Sequence, residues 1–382
     1  MDDSSPGPNS VAGPADASAP DRTTPTSTTP TTPLWRSALV MIAKLIIAAV
    51  AVVLVVRVAR QVDWAEVAQA LGRLTWWELA VIVLAVGIRQ VANAYPLVHL
   101  IPGLSVRHAV PTGLAGTLIQ TFMPPPSDTV LRLSMLRSFG HDPARSAAGL
   151  VLDTVVFYLC RFTAPIIGLL VALATASVEP VFWWMTLLGV GGLALFIGTL
   201  VGISKGEKAA ATVGHRAGSV AARVRRTIRP GQWAAAMVRF QRETADGLWR
   251  RMGRAWPAMF AFVVIDGLVL VLCLRFVGIP YSQAALLTVL AGFFCFYPLT
   301  VFPFAGLGVL DASLIALINV EGFIEPADLV AALVIWRAAT LILPLLPGLV
   351  SFLWWRGTQG GRSVAEVEAS TEAELRDEVG PL

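Results

Sequence analysis

Residues 284–311 read AALLTVLAGFFCFYPLTVFPFAGLGVLD: an uncharged apolar run from Ala284 to Phe302, then Pro303, Gly306 and Gly308, then a single acid, Asp311. Residues 109–128, AVPTGLAGTLIQTFMPPPSD, do the same, running from Ala109 to Met123 before Pro124, Pro125 and Pro126 lead to Ser127 and Asp128. Each looks like a membrane crossing that stops part-way. Free backbone groups at membrane depth cost several kcal/mol unless protein or a wet cavity satisfies them, so such breaks point to a place where something polar is held. Two of them in corresponding halves point to a transport site.

The surrounding composition sets the class. Of 382 residues 55% are hydrophobic and 14% charged, and the mean hydropathy is +0.69, outside the range of soluble domains. Runs long enough to cross about 30 Å of hydrocarbon fall at 37–56, 77–98, 147–173, 181–203, 256–276 and 329–353. The expected fold is therefore an all-α polytopic membrane protein of about six full transmembrane helices plus two re-entrant hairpins. Tryptophans at many span ends, including Trp76, Trp77, Trp183, Trp184, Trp354 and Trp355, read as interfacial anchors. Residues 1–33 and 357–382, rich in Pro, Ser and Thr and in acids respectively, cannot offset the entropy of ordering and are expected to be disordered tails around a membrane domain at 34–356. Cys160, Cys273 and Cys295 sit inside apolar runs and read as core residues.

Charge sets the orientation. Between Lys205 and Arg254 lie twelve Lys or Arg against Glu207, Glu243 and Asp246, so the 204–255 loop is predicted to be cytoplasmic and both termini with it. Topology accounts for this charge without nucleic acid. The first broken segment is flanked by Arg107, Arg132, Arg137 and Arg145, whereas Phe276 to Trp336 contains no Lys or Arg. The two hairpins should thus enter from opposite sides. Leu114-Ala115-Gly116 is similar to Leu290-Ala291-Gly292, and the stretch ending in Asp153 aligns with that ending in Arg337, which suggests a degenerate inverted repeat.

Charges inside spans cost at least about 3 kcal/mol on insertion scales, so Asp153 and Arg337 are expected to face each other or a shared cavity. Arg89, Asn93 and Arg161 complete the expected buried polar set, and Asp128 is placed to start a helix and pair with Arg132 four residues on. The expected substrate pathway comprises Asp128, Arg132, Asp153, Asp311, Arg337, Arg89 and Asn93. Gly198 and Gly202 read as a helix-packing pair. Gly202-Ile203-Ser204-Lys205-Gly206 has the spacing of a hydrolase nucleophile elbow but no preceding strand. Scattered histidines and the lack of metal or nucleotide motifs give no reason to expect a metal, a cofactor or an enzyme.

Phe122-Met123-Pro124 through Asp128 to Arg132, Gly306-Leu307-Gly308-Val309-Leu310-Asp311, and Arg337 with Pro344 and Pro347-Gly348 together resemble the flippase-like membrane domain of the lysylphosphatidylglycerol synthase family. The likeness covers roughly Trp35 to Trp355. Asp stands where the family has Glu at both breaks, Ser127 and Phe304-Ala305 where glycines are common, and Thr154 where Arg often follows the acid. The resemblance implies a lipid flippase of the bacterial cytoplasmic membrane acting on an anionic or polyprenyl-linked headgroup. The soluble aminoacyltransferase domain of bifunctional members is not expected here. Two other readings stay open: an accessory subunit that docks a transferase through the 204–255 loop, and intramembrane catalysis by Asp128 and Asp311.

Overall fold

The computed structural model describes residues 72, 74–123, 127–224, 230–244, 247–319 and 324–358, all within one compact unit, Val53–Leu382. The expected span at 37–56, the Pro124-Pro125-Pro126 break and residues 1–33 and 359–382 of the expected tails lie outside the described residues, while Gly357 and Thr358, expected in the C-terminal tail, belong to the last helix.

Start signals in the sequence fall at helix starts. Thr75 and Glu78 close a capping box, the Thr75 amide donating to Glu78 Oε2 at 2.7 Å, and open α1 (Trp76–Leu100). Asp142 Oδ1 accepts the Arg145 amide at 2.8 Å, with Pro143 at the first position of a long helix. Pro180 and Pro326 open two others in the same way. The elements run α1, α2 (Val106–Phe122), α3 (Ser127–Ser138), α4 (Pro143–Ala174), α5 (Pro180–Ser204), α6 (Glu207–Val224), α7 (Pro230–Thr244) and α8 (Leu248–Val277). After α9 (Leu286–Phe296) come a 3₁₀ turn (Tyr297–Val301), α10 (Pro303–Gly306), α11 (Val309–Ile318) and α12 (Pro326–Arg337). A π segment (Ala338–Ile342) and α13 (Leu345–Thr358) close the described chain. There is no strand among the described residues.

Five segments are long and apolar enough to cross a membrane: α1, α4, α5, α8 and the composite 326–358 of α12, the π segment and α13. They fall on five of the six expected spans. The arms of the broken segments are shorter. At 1.5 Å rise per residue, the 17 residues of α2 reach about 25 Å, and α3, α9 and α11 with 12, 11 and 10 residues reach less. Either broken segment is thus two short helices around a break. Helix α5 leaves Trp183, Trp184, Leu187, Leu188 and Leu195 exposed, as a helix facing hydrocarbon would.

Helices α1 and α8 run antiparallel. Trp77 packs edge-on against Phe276 with centroids 5.5 Å apart at one end, Arg89 meets Asp266 mid-way, and Val98 and His99 share a cleft with Gly247–Arg254 at the other. Each broken segment is gripped at a glycine of a span distant from it in sequence. A Cβ on Gly348 of α13 would lie 2.7 Å from the Leu114 carbonyl of α2, and one on Gly168 of α4 would lie 2.7 Å from the Ala291 carbonyl of α9. Within each hairpin the first arm also carries a glycine where the second arm comes close: Gly116 against Arg132, Gly292 against Leu317.

Some expectations are corrected. Close packing of α5 runs through Gly189 and Gly192, which lie against Phe162, while Gly198 faces open space. Trp355 is no surface anchor: it is buried, and its Nε1 donates to Ser138 Oγ at 2.8 Å, fixing α13 to α3. The basic loop folds as a helical pair in which Arg242 grips Glu207 through two hydrogen bonds of 2.6 and 2.9 Å, with Gly214 against the Trp233 carbonyl. Cys160, Cys273 and Cys295 are buried and free, as expected of core residues.

Candidate functional site

The break in the second hairpin is built from left-handed backbone. Ala305, Gly306 and Gly308 have φ of 56°, 74° and 84°, and a side chain on Gly306 would collide with the Leu299 carbonyl at 2.5 Å. Such backbone frees hydrogen-bonding groups from the helical ladder. Charged side chains take them up. Asp311 Oδ2 accepts the Gly308 amide at 2.7 Å and so caps α11, while Oδ1 receives Arg337 Nε at 2.9 Å. Arg337 Nη1 donates to the Ala305 carbonyl at 3.1 Å, with its guanidinium over the Trp336 ring at 4.4 Å. Arg161, from α4, donates to the Thr300 carbonyl at 3.2 Å and stacks on Phe157 at 3.9 Å. Immediately after Arg337 the chain turns into the π segment, a local widening often found at functional sites.

The first hairpin holds the complementary pair. Arg132 on α3 donates through Nη2 to Asp153 Oδ2 on α4 at 2.9 Å. In both places the second arm of a hairpin is joined to the span that follows it, with the signs exchanged. Neither pair is fully satisfied: Arg132 Nε, Asp153 Oδ1 and Arg337 Nη2 are buried without a hydrogen-bond partner. Removing charge from water is costly unless every lone pair and proton is met, and these atoms are, among the described residues, hydrogen-bonding capacity left unused between hairpin and span. A third pair, Arg89 Nε to Asp266 Oδ1 at 2.8 Å, joins α1 to α8, with Arg89 over the Phe262 ring at 4.5 Å.

The predicted residues are therefore distributed differently from expectation. Asp153 and Arg337 do not pair with each other; each has a nearer partner on its own hairpin, because the hairpin's second arm packs beside the following span. Arg132 turns away from Asp128 toward Asp153. Asp128 lies in the first turn of α3 and accepts a long 3.5 Å hydrogen bond from Thr129 Oγ1. Arg89 takes Asp266 and not Asn93, which is half-buried and makes no hydrogen bond with another described residue. Asp266 was missed by sequence reasoning, although a lone acid amid Ala261–Leu274 is the signal that finds it. Arg275 is a C-terminal cap, donating to the Ile279 and Ala284 carbonyls and stacking on Tyr281. No group of three or more His, Cys, Asp or Glu is placed to hold a metal among the described residues.

Apolar spanning helices, two broken helical segments and buried ion pairs joining them to neighbouring spans define a multi-pass helical membrane protein with charged pairs set into an apolar core. The family follows from the sequence match: residues 41–348 fit the model of the lysylphosphatidylglycerol synthase TM region, and the chain belongs to that family. Its family points to a lipid-related role in the membrane. No curated protein matches the chain.

Proposed function

We propose that the protein moves a polar or anionic lipid headgroup across the bacterial cytoplasmic membrane, between two re-entrant hairpins of opposite orientation. The observation that carries this reading is the pair of half-satisfied ion pairs, Arg132–Asp153 and Asp311–Arg337, each linking a hairpin arm to the next span. The reciprocal grip of each hairpin on a glycine of the other half, Leu114 on Gly348 and Ala291 on Gly168, supports an inverted repeat. So does the shared Leu-Ala-Gly motif, whose glycine in both copies meets the second arm.

An anionic headgroup offers a guanidinium what its carboxylate partner offers, two oxygens spaced to accept paired hydrogen bonds from the fork. A phosphate beside Arg132 or Arg337 competes with Asp153 or Asp311 and leaves the displaced carboxylate to be hydrated or protonated. The unsatisfied Arg132 Nε and Arg337 Nη2 are the donors available before any pair opens. Movement of headgroup-labelled lipid in proteoliposomes tests the reading. Acceleration over empty vesicles is expected for at least one of aminoacylated phospholipid, plain anionic phospholipid and polyprenyl-linked sugar; none for all three overturns it.

The α6–α7 pair favours a second role, docking of a lipid-modifying or glycosyl transferase. Its Glu207–Arg242 clasp lies fully at the surface, so the pair is a preformed cytoplasmic face. Replacing 207–244 by a short basic linker should leave lipid movement intact if the hairpins carry the function, and abolish it if docking does.

A further inference from the structure

We infer that the cleft between the C-terminal end of α1 and the start of α8 binds a phosphate-bearing anion. The cleft is about 260 Å³ and is lined by Val98, His99, Gly247, Arg250, Arg251 and Arg254. Three guanidiniums and an imidazole therefore face one small space, and none of its lining residues is acidic. Elsewhere a guanidinium that meets a carboxylate is held by it: Arg89 by Asp266, Arg132 by Asp153, Arg242 by Glu207 and Arg337 by Asp311. No such pair forms at Arg250, Arg251 or Arg254 among the described residues. Like charges this close repel one another, which a bound anion relieves.

The size fits a phosphate group with its hydration shell, and the donors fit its chemistry, since guanidinium forks bind tetrahedral oxyanions through paired hydrogen bonds. The surroundings fit a lipid. Tyr95, 40% exposed, packs edge-on against His99 at 5.1 Å, and Trp249 is 48% exposed beside Arg250. Exposed amphipathic rings next to cleft residues, Tyr95 against His99 and Trp249 adjoining Arg250 in sequence, match the headgroup level of a bilayer. Arg89–Asp266 lies further along the same two helices, so the cleft sits at one end of the helix pair that carries a buried ion pair. The inference deepens the lipid-transport reading and rests on it for the choice of lipid, so binding and transport are measured separately.

The test uses the full chain in detergent micelles, with short-chain phosphatidylglycerol, short-chain phosphatidylcholine and inorganic phosphate as probes. Wild-type protein should bind phosphatidylglycerol about tenfold more tightly than phosphatidylcholine, with affinity falling as salt rises. The triple variant R250Q/R251Q/R254Q should lose about tenfold, and R250K/R251K/R254K should keep a good part of it, because charge is retained and only the fork is lost. If inorganic phosphate binds as tightly as the lipid and displaces it, the site takes free phosphate and the anion assignment holds. Unchanged affinity in the triple glutamine variant overturns it. Arg250 and Arg254 are exposed, so R250Q and R254Q alone keep the test open should the triple variant not fold. Lipid movement without Arg-dependent binding would sink this inference alone, and Arg-dependent binding without movement would sink the transport reading alone.

Discussion

Asp311 does two jobs with two oxygens, one capping α11 at Gly308 and one holding Arg337, so the ion pair is tied to the break of the second hairpin through a single side chain. Asp153 has no such duty: Oδ2 takes Arg132 and Oδ1 is idle. Deleting one member of a buried pair strands the other at a cost of about 3–5 kcal/mol. Arg132→Asp and Asp153→Arg should each lower stability by that order, and the exchange R132D/D153R should recover most of it, read as thermal unfolding in detergent. The exchange D153R/R337D should recover nothing, since each would face its own hairpin partner with the wrong sign. Near the α3–α4 turn, His108 Nδ1 lies 3.3 Å from His141 Nε2, and His108 stacks on Phe139. Burial first, and then His108, hold His141 below its ordinary 6.5. The folded chain therefore binds this proton less readily than the unfolded one, so its contribution is present above pH 6.5 and lost as pH falls from there through the lowered value. The unfolding midpoint should drop as pH falls below 6.5, and His141→Gln should flatten that slope. At this scale the sequence showed most of the charges that are buried, though not Asp266, and did not show which of them meet. Spacing along one helix suggested Asp128 with Arg132, and a matching register suggested Asp153 with Arg337; contact between a hairpin arm and its neighbour span is invisible to either argument.

Helix elements were more legible, because an apolar run long enough to cross a bilayer has few other fates and Pro or Asp at its head marks the start. What hydropathy could not resolve was the inside of such runs. The last span divides at Arg337 into α12, a π segment and α13, a change of winding without change of polarity. Glycines were ambiguous for the same reason: Gly198 and Gly202 had the familiar spacing, yet the tight approaches are at Gly168, Gly189 and Gly348, set by the neighbour and not by the pattern. A Cβ at Gly168 would sit 2.7 Å from the Ala291 carbonyl and 2.8 Å from the Cys295 amide, both backbone atoms of α9 that cannot swing aside. Gly168→Ala should therefore destabilise by about 1–3 kcal/mol. Gly198→Ala, facing open space, should be neutral or stabilise by up to about 1 kcal/mol through helix propensity. The pair compared by thermal unfolding separates close approach from propensity, and equal effects would remove the grip on the second hairpin from the argument.

For the molecule as a whole, the antiparallel pairing of α1 with α8 puts the end of α1 that leads into α2 and the end of α8 that leads into α9 at opposite ends of the pair. If the Arg-rich end, with Arg250, Arg251 and Arg254, is cytoplasmic, then Trp77 and Phe276 lie outside. The turn after α3 then returns to the cytoplasm and the loop before α9 opens outward. Charge asymmetry in the sequence, with arginines around the first hairpin and none from Phe276 to Trp336, rests on the same positive-inside rule. The proposed opposite orientation of the hairpins is therefore open to test, and cysteine chemistry decides between it and a same-sided arrangement. Cys160, Cys273 and Cys295 are buried and give little background with a membrane-impermeant maleimide. Gly140, in the turn after α3, and Ser282, in the loop before α9, are both exposed. Intact cells should label Ser282→Cys, and Gly140→Cys only after permeabilisation. Labelling of both from outside, or of neither, would place the two hairpins on one side, and a headgroup could not then pass from Arg132–Asp153 to Asp311–Arg337 by way of opposed breaks.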